Sequence, residues 1–169
     1  MTAAREVLEF TTTDPSPALT EMNAIARVRN GWVNVRPRPV DDPAEFMTEF
    51  ASDPVASPLG IFGRRRPITL EGTWVPGRMG RNGPDPASVG LEHPAGRFAV
   101  RQLRDGGSPV PEQWKVVNDN TRRGLVLSVP AGDDVEDDCE HILTWLLAAA
   151  SVLAPAQVNG RWQAEVHRR

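Results

Sequence analysis

One run of residues decides what this chain can fold into: residues 133–153 are written as a single long helix. Pro130-Ala131-Gly132 stops whatever precedes it, and Asp133 or Asp134 is placed to cap it, because a short carboxylate accepts the first free backbone N–H groups. Val135, Cys139, Ile142, Leu146, Ala150 and Leu153 recur at steps of three and four, which stacks them on one face. At ~1.5 Å per residue such a helix is roughly 30 Å long, the width of a small domain. From Ile142 to Ala154 it is apolar nearly all round, so it needs cover on more than one side. Burying its large aliphatic side chains and Trp145 is worth ~10–20 kcal/mol gross, enough to anchor a fold.

The other segments read as strands and shorter helices. Val7 to Thr11 is a weak strand or part of an extended arm over residues 1–13. Asp14-Pro15 opens a helix with the apolar stripe Leu19, Met22, Ile25, Ala26 and Val28, and Asn30-Gly31 closes it, glycine supplying a left-handed stop. Trp32 to Val35 is a short strand. Asp42-Pro43 starts a second helix carrying Phe46, Met47 and Phe50. Ile68 to Val75 alternates with a period of two, which predicts a strand with one buried face. Pro76 to Pro86 is a Gly-Pro-rich loop. Ala87 to Leu91 follows as a strand, and Pro94 or Ala95 to Asp105 as a helix. Trp114–Asn118 and Gly124–Val129 form a hairpin around a polar loop of five residues. Residues 155–169 make an edge strand or a tail.

Strands joined by short hairpins, with helices between the groups, predict an α+β fold: a largely antiparallel sheet with helices packed on one face and a long C-terminal helix. A length of 169 residues suits one domain spanning 1–169, and no linker or repeat divides it. With the Phe46 helix set aside as a decoration, the order is α-βββ-α-ββ-α plus a tail. That order resembles the fold of the type III secretion chaperones and their bacterial relatives.

Composition narrows the function classes. A net charge of −3 gives no general attraction to nucleic acid or to an anionic membrane. Lys115 is the lone lysine among the basic residues, the habit of a high-GC bacterial genome. The longest apolar run, ~13 residues around Trp145, is short of the ~20 that span a bilayer. One cysteine, Cys139, permits no internal disulfide and suits a reducing cytoplasm. No signal peptide pattern opens the chain.

Four stretches have residue types that chemistry uses. Gly77-Arg78-Met79-Gly80-Arg81-Asn82-Gly83 repeats glycine every third residue with two arginines, a pattern that can curl N–H groups round an anion; it matches neither Walker A nor the dinucleotide fingerprint. Glu92-His93-Pro94-Ala95-Gly96-Arg97 lies between a strand and a helix, where His93 or Glu92 is a candidate acid or base and Arg97 an anion ligand. Asp137 and His141 stand four apart on the long helix, a chelating spacing for a metal. The acids around them equally complement the positive helix end. Trp145, Leu147 and Val152 carry more apolar surface than one sheet face covers, which marks an interface with a protein partner or a second copy.

No catalytic or cofactor motif emerges from these stretches. The leading expectation is a non-catalytic binding or accessory protein, chaperone- or adaptor-like, acting through protein contacts with itself or another chain. The alternative is a small enzyme or ligand-binding domain holding an anion between the Gly77–Gly83 loop and the His93/Arg97 turn, through Arg78, Gly80, Arg81 and Arg97. RNA binding is a third reading.

Overall fold

The computed structural model describes residues 4–38, 70–81, 83–120, 124–132, 134–155 and 157–168. The elements run β1 (Ala4–Thr11), α1 (Ser16–Val28), β2 (Gly31–Pro37), β3 (Glu71–Val75), β4 (Met79–Gly80), β5 (Gly83–Pro84), β6 (Ala87–Glu92), α2 (Ala99–Asp105), β7 (Lys115–Asn120), β8 (Gly124–Val129), α3 (Val135–Leu153) and β9 (Arg161–Arg168). Seven strands form one sheet in the order β1-β9-β2-β3-β6-β8-β7, and every neighbouring pair is antiparallel. The α+β architecture expected from the sequence is the one the chain adopts. The helix expected at Phe46 lies outside the described residues.

The three helices of the described residues cover one face of that sheet, because each strand alternates. Val33 and Val35, Trp74, Val89 and Leu91, Leu125, Leu127 and Val129, and Trp162, Ala164 and Val166 all point to the helix side and are buried. The long helix α3 lies at the centre. Asp134 caps it, accepting from the N–H groups of Glu136 at 2.7 Å and Asp137 at 3.4 Å, and Pro155 follows its end. Its Leu146 sits so close over β3 that a side chain on Gly72 would meet Leu146 Cδ2 at 2.4 Å. Glycine at 72 is therefore what lets the helix approach the sheet. Ion pairs tie α1 to its neighbours: Arg27 to Glu136 on α3, and Glu21 to Arg168 on β9.

Several boundaries differ from expectation. Residues 161–168 form an interior strand, not an edge or a tail: β9 is hydrogen-bonded to β1 on one side and β2 on the other. The edge is β1, which is a strand and not a loose arm. The left-handed stop of helix α1 falls two residues before Gly31. Arg29 takes the left-handed conformation (φ 52°), and its N–H reaches Ile25 O at 2.7 Å. Gly31 has a different task. A Cβ there would lie 2.2 Å from the His167 carbonyl oxygen, so only glycine lets β2 draw up to β9. Helix α2 begins at Ala99, several residues late, because Phe98 adopts a left-handed φ of 66° and Asp119 supplies the cap from β7. The β7–β8 connection spans three residues where five were expected.

Candidate functional site

The apolar surplus of α3 is consumed inside the chain. Nine of its residues are buried, Trp145 and Leu147 among them. Trp145 packs edge-on against Trp114, with ring centroids 5.0 Å apart, and donates its indole N–H to Pro109 O at 2.9 Å. Val152 is half-buried beside Gly106, where an added Cβ would meet its Cγ1 at 2.5 Å. Helices α1 and α2 and the α2–β7 connection supply the second side of cover that the sequence led us to assign to a partner. Trp145 and Leu147 are thus core residues and Val152 packs against that core, so the expectation of an exposed apolar surface at these three residues is corrected.

The anion site expected between the Gly77–Gly83 loop and Arg97 is also taken apart. In the β3–β6 register Val75 pairs with Ser88 at one end and Glu71 with Glu92 at the other. The loop leaves from the first end and Arg97 follows the second, ~15 Å away along the strands. The glycines there serve a tight turn. A side chain at Gly77 would collide with the Asp85 carbonyl at 1.7 Å, Asp85 N–H bonds Arg78 O at 2.8 Å, and β4 and β5 close the short ladder between Gly80 and Gly83. Arg81 is exposed at its tip. At the other end the first N–H groups of α2 are already occupied: Asp119 accepts from Ala99 and Val100, each at 3.2 Å. Arg97 and Glu92 are exposed, while His93 is 3% exposed with neither ring nitrogen hydrogen-bonded. Burial lowers the His93 pKa, against a smaller upward pull from Asp119. A neutral imidazole without a partner or an opening to solvent is not placed to exchange protons with a substrate.

Asp137 and His141 are both exposed on α3, and the His141 ring leans on Trp114 at 5.6 Å. Among the described residues no three His, Cys, Asp or Glu side chains converge as a metal would require. Cys139 is buried, and its thiol is pushed up to about 12 by burial, with the Asp138 and Glu136 charges adding to it. It carries no thiolate at neutral pH and acts as a small core residue.

The region with organised polar chemistry is one the sequence reading did not single out: the other face of the sheet. Among the described residues no helix or strand lies over it. Cross-strand partners share a face, so the register lays its side chains out in rows. One row runs Glu9, Gln163, Arg36, Glu71, Glu92; the next runs Val7, Glu165, Asn34, Thr73, Gly90; the third runs Arg5, His167, Trp32, Val75, Ser88. Many of these groups are already bonded to each other. Arg36 donates Nε and Nη2 to Gln163 Oε1 at 3.0 and 2.9 Å. Thr73 donates its hydroxyl to Asn34 Oδ1 at 3.0 Å. Glu165 takes Arg5 Nη2 at 2.7 Å on one oxygen and lies 2.7 Å from His167 Nε2 on the other, although that ring N–H does not point at the carboxylate. The Trp32 and His167 rings stack at 4.4 Å, 8° from parallel. Burial raises the Glu71 pKa; Arg36 and His167 oppose that shift, while Glu92 and Glu165 reinforce it.

At the Trp32 end this face deepens into a cleft of about 450 Å³, lined by Trp32, Thr73, Val75, Pro76, residues Arg29 to Gly31, and Arg78. Arg29 is held by the Gly77 carbonyl oxygen at 2.8 Å. Its left-handed backbone is what turns the chain from α1 into β2 at the cleft's rim.

No family model, curated protein or solved structure matches this chain. No helix among the described residues is long and apolar enough to cross a membrane. Geometry alone therefore carries the functional reading. Of the residues picked from sequence, Arg78 lines the cleft and Glu92 stands at the end of one row on this face. Trp32, Arg29, Arg36, Glu71, Glu165 and His167 were missed. Their signal was present in the alternation of Trp32-Val33-Asn34-Val35-Arg36 and Trp162-Gln163-Ala164-Glu165-Val166-His167, where the face opposite the core holds hydrogen-bonding and aromatic side chains and not merely solvating ones.

Proposed function

We propose that this protein works by binding rather than by catalysis, and that it recognises a protein partner on the sheet face opposite the described helices. The observation that carries this reading is the asymmetry of the sheet: every described helix packs on one face, and the other holds prearranged arginine, carboxylate, amide and indole groups. Seven strands at ~4.8 Å spacing and ~20 Å of strand length span roughly 600 Å², close to one partner's share of a standard protein interface. Charges of both signs stand on it, which suits a protein of mixed charge. The carboxylates of Glu9, Glu71, Glu92 and Glu165 repel a polyanion and weigh against RNA. A reducing cytoplasm suits its lone buried thiol.

The test is capture from an extract of the source cells by the immobilised protein and by two charge-reversal variants. Arg36→Glu on the face opposite the described helices should abolish retention of a partner, whereas Glu140→Arg on the exposed side of α3 should retain it. Retention by Arg36→Glu and loss by Glu140→Arg would place recognition on the helices instead.

A second reading, a ligand-binding domain, is favoured by one observation: the cleft beside Trp32 has the volume of a small-molecule site. It need not exclude the first, because a partner and a ligand can use adjoining parts of one face.

A further inference from the structure

We infer that the cleft beside Trp32 binds a small anion joined to a flat ring, an aryl or heteroaryl phosphate or carboxylate. This inference rests on the ligand-binding reading just given. Three observations point to that chemistry. The cleft is lined by two arginines, Arg29 and Arg78, and by no carboxylate among the described residues, in a chain whose net charge is −3. Positive charge is therefore concentrated where the rest of the molecule would dilute it. Arg78 is exposed and has no ion-pair partner among the described residues, so its guanidinium fork is available to an oxyanion. Arg29 has one nitrogen fixed on the Gly77 carbonyl, which holds the guanidinium in place instead of leaving it to sweep solvent.

The third observation is the wall. Trp32 is braced by the stacked His167 ring behind it, and the indole lines the cleft while His167 does not. The indole, Val75 and Pro76 give the cleft apolar lining for a ring, and Arg29 and Arg78 give it charge. The volume of about 450 Å³ accommodates one ring system with one acidic group; pockets for such ligands run from roughly 300 Å³ upward. A bare inorganic anion leaves the slot unfilled, and a neutral ring leaves the arginines unpaired.

Naphthyl phosphate tests both halves of the assignment. Titration should quench tryptophan fluorescence in the native protein, and the quench should vanish in Trp32→Phe, because the other four tryptophans are buried. By calorimetry, naphthol and inorganic phosphate should each bind at least about tenfold more weakly, the loss of one charge-assisted contact or of one stacked ring. Arg78→Glu should weaken naphthyl phosphate by about tenfold or more, while Arg81→Glu, an exposed arginine of the same loop that does not line the cleft, should leave it unchanged. Absence of binding, equal binding of inorganic phosphate, or indifference to Arg78→Glu would each overturn the inference. If Arg36-dependent partner capture persists in that case, the cleft assignment falls and the sheet-face reading stands.

Discussion

The two faces of one sheet follow opposite rules. On the helix side the alternating residues are Val, Leu, Ala and Trp, and α3 presses so closely that β3 needs glycine at 72. On the other side the same strands place arginine against glutamine, threonine against asparagine and tryptophan against histidine. The first face is held by burial, which is indifferent to direction. The second is arranged by hydrogen bonds, which are directional and contribute little net stability each. The first face holds the fold together, and the second is the one we propose for binding. Substitutions should therefore separate stability from binding according to the face they fall on.

The largest effect is expected under α3. Leu146→Ala should cost ~2–5 kcal/mol in urea unfolding, the range for buried leucines. A loss below about 0.5 kcal/mol, typical of surface sites, would break the comparison. Gly72→Ala should cost ~1–3 kcal/mol, because the new methyl group would intrude on Leu146 and the packing must give way. A neutral outcome would mean that the helix rides higher on the sheet than described.

A pH series sharpens the same contrast. Burial favours neutral His93 in the folded chain, so its folded pKa lies below its ordinary value of 6.5. The unfolded chain then binds the proton more readily, and stability is present above the unfolded pKa and is lost as pH falls below it. His93→Leu should flatten that part of the unfolding profile, whereas Glu92→Gln, its exposed neighbour, should not.

On the face opposite the described helices, Arg5→Ala should shift stability by less than ~1 kcal/mol, as exposed ion pairs do, and Arg36→Ala by about 1–2 kcal/mol, because its hydrogen bonds to Gln163 are part-buried, while partner capture is lost with Arg36. The smallest effect is a null one. Cys139 should stay unmodified by an alkylating reagent under native conditions, since its thiol is pushed up to about 12, and should react on unfolding.

Most of the fold could be read in the sequence and little of the site could. The periodicity of Val135 to Leu153 marked α3 and its cap because helix signals are local: spacing, a capping carboxylate, a terminating proline. The place of residues 161–168 was not local. Their alternation marked a strand, but its insertion between β1 and β2 depends on pairings more than a hundred residues apart, as Phe10 with Trp162 and Val33 with Val166 show. The same reason hid the site. Trp32, His167 and Glu165 come together only through that pairing, whereas Glu92-His93 and the Gly77–Gly83 run attracted notice because their residues adjoin in the chain. The apolar surplus of α3 is legible in the sequence, but what covers it is not, because α1, α2 and the segment around Pro109 and Trp114 come from distant parts of the chain.

The claim on which this account depends is that α3 is spent inside while the opposite sheet face is what the molecule presents. Hydroxyl-radical footprinting of the native protein reads this directly, since the five tryptophans are divided between the two regions. The account predicts oxidation at Trp32, with Trp74, Trp114, Trp145 and Trp162 protected until the chain unfolds. Oxidation of Trp114 and Trp145 in the native state, with Trp32 protected, would contradict it.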